Sequence, residues 1–199
     1  MAAVEELLKE ISEDGKDTLL LIRELSGFVA YYRRVLERLE LDALTGLPGN
    51  NKCIDFKAGL EERSPSVGVV MFDVNDLKHY NDNMGHQAGD RLLQKAAESF
   101  QTIADANRNA RVFRTGGDEF MAILTDCAES DIDAIIKTWQ AKLTELNAAN
   151  DGIHCTVAHG TAFGTKPYKL TDIIAQADER MYAEKRRMKE AGIKLGEVR

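Results

Sequence analysis

RVFRTGGDEFMAILTD, residues 111–126, is the stretch on which the fold turns. It contains two runs rich in apolar and β-branched residues, RVFRT and EFMAILTD, joined through Gly116 and Gly117. Two glycines between such runs predict a β-hairpin, because a tight turn can demand positive φ at both central residues. Upstream, SVGVVMFDV (66–74) is short, apolar and rich in valine, which predicts a buried central strand. Around these strands the spacing predicts helices over 88–104, 131–149 and 170–191, and IHCTVAHGTAF (153–163) reads as a further strand. The resulting order is helix, strand, helix, hairpin, helix, strand, helix. That order predicts an α+β sandwich with helices against a mainly antiparallel sheet, close to a ferredoxin-like plan.

The N-terminal part has a different texture. Residues 1–16 predict a short amphipathic helix (Val4, Leu7, Leu8, Ile11) that ends in the polar stretch SEDGKD. A second helix is expected over 17–39, with Ile22, Leu25, Val29, Tyr32, Leu36 and Leu39 alternating spacings of three and four. That stripe suits either a coiled-coil seam or a helix packed on its own domain. The expected organisation is a helical segment over 1–40 and one α+β domain over 41–199.

Composition narrows the function. The 199 residues are 44% hydrophobic and 30% charged, enough for one packed domain with an appendage. A net charge of −7 lacks the basic footprint of a nucleic-acid or anionic-membrane binder. It leaves nucleotide substrates open, since carboxylates can hold the cation that neutralises a triphosphate. Cys53, Cys127 and Cys155 show no paired spacing and read as reduced thiols. No apolar run approaches the roughly 20 residues of a membrane span, and the chain does not open like a signal peptide. A cytoplasmic location is expected.

Acidic residues fall at strand ends. Asp73 closes the first strand, and Asp118 and Glu119 open the strand after the diglycine. If those strands are neighbours, three carboxylates converge at one rim, and a hard cation such as Mg²⁺ would relieve their repulsion. Taken alone, each cluster reads as exposed acids flanking a turn before it reads as a site.

Four motifs in order carry a family resemblance. They are LDALTGLPGN (41–50), FDVNDLKHYNDNMGHQAGD (72–90), RTGGDEF (114–120) and ADERMYAEKRRMK (177–189). Together they resemble the GGDEF-domain diguanylate cyclase family from Leu41 to Lys189. The resemblance implies a nucleotidyl cyclase-type sheet and Mg²⁺-dependent condensation of two GTP into cyclic di-GMP, with Mn²⁺ as a substitute metal. It implies that Asp73, the Val74 carbonyl, Asp118 and Glu119 hold the metal, and that Asp118 accepts the 3′-hydroxyl proton. By the same resemblance Lys78 lies beside the phosphates, Gly116 and Gly117 let the backbone approach the nucleotide, and Asn81 and Asp90 read guanine. Lys185 and Lys189 would face the terminal phosphates, although a KRRMK run elsewhere reads as a solvated helix face. His86 matches a substrate-contact position and equally suits a histidine satisfying local backbone groups.

Some positions depart from the family. Lys189 stands where arginine is usual, keeping the charge without the bidentate fork. P-G-N-N stands where P-N-R is commoner. Asn107 and Ala110 occupy the place of an R-x-x-D product-inhibition pair. The chemistry joins two nucleotides, so a homodimer is implied, with the 17–39 helix as the device for it and an upstream sensory module as a partner. The alternatives are a catalytically weak or inactive module binding GTP or cyclic di-GMP, and a structural dimerisation unit.

Overall fold

The computed structural model describes residues 21–32, 40–149 and 151–191. The chain divides into two units, residues 1–40 and 41–199. In the first, residues 21–32 form a helix, α1, on which Ile22, Leu25, Val29 and Tyr32 are each more than half exposed. Leu36 and Leu39 of the expected stripe, and the helix expected over 1–16, lie outside the described residues.

The second unit runs α2 (Asn50–Lys57), α3 (Leu60–Arg63), β1 (Ser66–Val74), α4 (Leu77–Met84), α5 (His86–Ala106) and β2 (Ala110–Arg114). It continues with β3 (Glu119–Thr125), α6 (Glu129–Asn147), β4 (Val157–Thr165) and α7 (Leu170–Glu190). The strands form one antiparallel sheet in the order β2-β3-β1-β4. β1, wholly buried, lies at the centre, as its valine-rich run required.

Strand side chains alternate between faces, and two cores result. Val70, Phe72 and Val74 of β1 and Phe120, Ala122 and Leu124 of β3 pack with α5 and α6. Phe72, Phe100 and Trp139 anchor that layer, with ring centroids 4.6 Å and 4.9 Å from Phe72. The Trp139 indole N–H, buried there, donates to Ser99 Oγ at 3.0 Å. Val67, Val69, Met71, Met121 and Ile123 face the other way, toward Cys53 of α2 and Ile173, Ala177 and Met181 of α7. By the same alternation Asp73 and Glu119, directly opposite one another in the ladder, belong to the α7 face. Gly160 lets α7 approach: a Cβ there would lie 2.1 Å from the Ala177 carbonyl oxygen and 2.2 Å from the Met181 nitrogen.

Several boundaries differ from expectation. Helix α4, from Leu77, follows β1 almost directly, and Gly85, at φ +83°, separates it from α5. β4 starts at Val157, four residues late. Asn147 explains this, because its side chain accepts from the Cys155 N–H (2.9 Å) and donates to the Cys155 carbonyl (2.7 Å). Tyr80 Oη treats His154 likewise, accepting from its N–H at 3.0 Å. Side chains thus satisfy the backbone that a ladder would otherwise use. The short helices α2 and α3 were not foreseen; α2 carries only one buried residue, Cys53, and so shows no apolar stripe.

Candidate functional site

The site forms where β1 and β3 end beside the start of α4 and the end of α7. Ladder pairing continues past the strands there: Val74 N–H donates to the Asp118 carbonyl at 2.9 Å, and Asn75 N–H to the Thr156 carbonyl at 2.9 Å. Asp73 is only 6% exposed. Burial pushes its carboxyl above the usual range, and the ammonium of Lys185 only partly offsets this. Lys185 Nζ sits 2.5 Å from Asp73 Oδ1. Lys185 was expected to face phosphate; in the structure it supplies the cation that a buried carboxylate needs.

Two cavities flank this pair. The first, about 240 Å³, is lined by residues 74–79, Asp118, Lys185, Met188 and Lys189. It contains Lys78 and the opening turn of α4, whose first amides have no helical acceptor. The second, about 390 Å³, is lined on the α7 side by residues that include Asp73, Glu119, Tyr182, Lys185 and Lys189. Asp118 therefore lines one cavity and Glu119 the other. The expected convergence of three carboxylates is not seen: among the described residues no three His, Cys, Asp or Glu side chains are close enough to hold a metal ion. Alternation along β3 separates the two neighbouring acids.

The diglycine forms the hairpin tip between β2 and β3, but neither Gly116 nor Gly117 has positive φ. The four-residue connection closes instead through Thr115 N–H and Gly116 N–H, which both donate to the Glu119 carbonyl (3.0 and 3.3 Å). Gly116 is needed for space, since a Cβ there would lie 2.9 Å from Glu119 Oε2.

Arg114 holds this tip, a role the sequence did not reveal. Its Nη2 donates to the Gly117 carbonyl at 2.7 Å and its Nη1 to Asp42 Oδ1 at 2.8 Å. Asp42 Oδ1 also accepts from Thr45 N–H (2.8 Å) and Thr45 Oγ (2.6 Å). Burial raises the Asp42 carboxyl, but the Thr45 and Arg114 donors outweigh it and hold the group below its ordinary value. The L-D-A-L-T-G turn is thereby tied to the tip, and the signal lay in Arg114 standing directly before the T-G-G-D run.

Asn81, His86 and Asp90 lie on α4 and α5 and line neither cavity. Asn81 Oδ1 packs onto Gly89, where a Cβ would come within 2.1 Å of it. Gly89 is thus a second residue missed, visible only once α4 and α5 are packed together. Asp90 is exposed, and His86 is exposed at the first turn of α5. Asn107 Oδ1 accepts from Asn109 N–H, and Ala110 is buried in β2, so neither offers a charge to a product. At the outer edge of β4, Glu184 accepts from the His159 main-chain N–H and lies 2.8 Å from His159 Nδ1. Arg180 donates to the Thr161 carbonyl at 2.6 Å. These contacts fix α7, and with it Lys185, against the sheet.

No helix among the described residues is long and apolar enough to cross a membrane. The family model for the diguanylate cyclase GGDEF domain matches residues 39–191. Diguanylate cyclase DosC of Escherichia coli K12 is 32% identical over 124 residues, covering 61% of this chain and 26% of that protein. Cyclic di-GMP phosphodiesterase PdeR of the same strain is 30% identical over 190 residues, covering 87% of this chain and 27% of PdeR. The chain therefore spans about a quarter of the length of these curated relatives. Among solved structures, the coiled coil and GGDEF domain of Caulobacter crescentus DgcB, in complex with c-di-GMP, superposes with a TM-score of 0.70 at 20% identity. That likeness covers 87% of this chain and 94% of the other and shows the shared fold. From the opening D-A-L-T-G-L turn to the closing helix, this chain belongs to the GGDEF-domain diguanylate cyclase family.

Proposed function

We propose that the chain condenses two GTP molecules into cyclic di-GMP with release of pyrophosphate. The observation that carries this reading is the buried Asp73 beside Asp118 and the Val74 backbone, next to a cavity containing Lys78, Lys185 and Lys189. Two carboxylates and a main-chain carbonyl are hard oxygen donors. They suit Mg²⁺, which binds through one or two carboxylates plus substrate phosphates and keeps several waters. The Asp73 carboxylate already draws an ammonium, that of Lys185, onto itself, and a bound cation would take that place. Bound there, Mg²⁺ would neutralise phosphate charge and polarise the α-phosphate. Mn²⁺ would do the same.

The chain's own residues supply the rest. Lys78 and Lys189 stabilise charge on the leaving pyrophosphate, and the opening amides of α4 point at phosphate. Asn81 and Asp90 read the guanine edge: a carboxylate accepts from N1–H and the exocyclic amine, whereas adenine would leave it unpaired. Asp90→Ala should therefore lower GTP use by about 10²-fold and narrow the preference over ATP, with little change in Tm. Competition kinetics with both nucleotides checks this, and unchanged discrimination would move the base reader elsewhere.

Each domain offers one such site, so two copies must face each other. The exposed stripe of α1 supports dimerisation through that helix. Replacing Leu25 and Val29 by glutamate should lower specific activity at low protein concentration, with recovery at high concentration as mass action requires. Concentration-independent activity of the double variant would count against it.

The match to PdeR keeps a second reading, a non-catalytic module binding GTP or cyclic di-GMP. The presence of Asp73, Lys78, Asn81, Asp90, Asp118 and Glu119 together favours the cyclase. Incubation with GTP and Mg²⁺ followed by mass spectrometry decides between them: cyclic di-GMP is expected, and binding without product would establish the regulatory module.

A further inference from the structure

Helix α4 rests on the segment between α6 and β4. Among the described residues of α4, Tyr80 alone is buried, and Leu77 adds a half-buried apolar contact. The Tyr80 ring joins the core beneath α5 and α6, and its hydroxyl meets the His154 peptide on both sides. It accepts from the His154 N–H at 3.0 Å and donates to the His154 carbonyl at 3.2 Å. The main chain just before α4 leans on the same segment, since Asn75 N–H donates to the Thr156 carbonyl at 2.9 Å. A helix of eight residues is marginal on its own, so its pose follows its tertiary contacts. Residues 153–156 are therefore the seat of the helix that carries Lys78 and Asn81.

That seat is itself held by side chains. Lys95 of α5, 9% exposed, donates to Asp151 Oδ1 and to the Ile153 carbonyl, each at 2.6 Å. Asp151 Oδ1 also accepts from the Ile153 N–H at 3.0 Å. Asn147 of α6 holds both peptide groups of Cys155. A buried ammonium is costly unless it is paired, and this one is paired wholly within residues 151–153. Neither Lys95 nor Tyr80 lines either cavity, and the proposed handling of the nucleotide uses neither. We propose that both are positioning residues for the nucleotide site. Lys95 fixes the segment 151–156, and Tyr80 carries that fixed backbone to α4, which sets where Lys78 and Asn81 meet the ligand. The inference rests on the reading of those two residues as nucleotide contacts, given above.

Tyr80→Phe keeps the ring and removes the hydroxyl; Lys95→Met keeps the stem and removes the ammonium. The probe is a non-reactive GTP analogue with a methylene between the α- and β-phosphates, titrated well below every variant's Tm. Each variant should bind it about 3- to 10-fold more weakly, the effect of one lost hydrogen bond. Ser66→Ala is the control, because it removes another buried hydrogen bond, to the Cys127 carbonyl at 2.7 Å, at the end of β1 away from the site. It should lower Tm yet leave analogue binding within about twofold of wild type. Because Tyr80 and Lys95 act through one segment, the double variant should bind within about twofold of the weaker single variant, whereas independent residues would multiply their effects. Wild-type affinity in Tyr80→Phe, multiplied effects in the double variant, or an equal loss in Ser66→Ala overturns the support and leaves the cyclase reading intact. If Tyr80→Phe fails to fold, wild-type affinity in Lys95→Met overturns the support by itself. A wild-type chain that binds the analogue but makes no cyclic di-GMP overturns the cyclase reading and not the support. One that binds no analogue overturns both.

Discussion

Asp73→Asn should fold, abolish most turnover and make the protein more heat-stable at neutral pH. The activity loss follows from removing the buried anionic oxygen beside the phosphate cavity, and a drop of about 10²-fold or more in kcat is expected, as when one preorganised electrostatic contact is lost. The stability gain follows from the sign of the shift. Burial raises the folded-state carboxyl above its unfolded value, despite Lys185 at 2.5 Å. The stability associated with the protonated group is fully present below about pH 3.9, its unfolded value, and is lost as pH rises through the raised folded value. An amide has no such dependence, and Lys185, partly exposed, can turn to water. The variant should thus match wild type in Tm at about pH 4 and exceed it at pH 7. Calorimetry across that range checks the sign. A variant less stable than wild type at pH 7 would mean that the ion pair outweighs the burial of its charges.

Gly160→Ala should be among the most damaging single substitutions in the domain. The new methyl would meet backbone atoms of α7 at 2.1 and 2.2 Å, and backbone cannot rotate away as a side chain can. Overpacking of this kind costs about 3 kcal/mol or more, which corresponds to a Tm lower by roughly 10 °C. Because α7 carries Lys185 and Lys189, the surviving folded fraction should also lose nucleotide affinity. Gly117→Ala is the control: a Cβ there meets nothing within 4 Å, so its Tm should stay close to wild type. If both variants melt together, the close approach of α7 to β4 is not what Gly160 serves.

Much of this domain was legible in the chain. The valine-rich 66–74 run could only be a buried strand, and the apolar runs flanking the diglycine could only be a hairpin. Which face each strand residue takes emerged with the sheet, which puts Phe72 and Phe120 on one side and Asp73 and Glu119 on the other. Where sequence reasoning failed, side chains had replaced local signals. The β4 boundary moved because Asn147 and Tyr80 captured backbone that propensity had assigned to a strand. Of the hairpin glycines, Gly116 serves close packing against Glu119, and neither adopts a left-handed turn.

The family motifs, the hairpin and central strand and the residue types at the rim follow from local pattern, because period-two alternation and turn chemistry act over a few residues. Which acid faces which cavity, the placement of Lys185 on Asp73, the Arg114 clamp between Asp42 and Gly117, and the fit of Gly160 beneath α7 belong to the tertiary structure. These contacts join residues from 72 to 112 positions apart in the Asp42–Arg114 and Asp73–Lys185 pairs, and 17 to 21 apart between Gly160 and α7. Such distances exist only after the sheet has closed and its helices have docked.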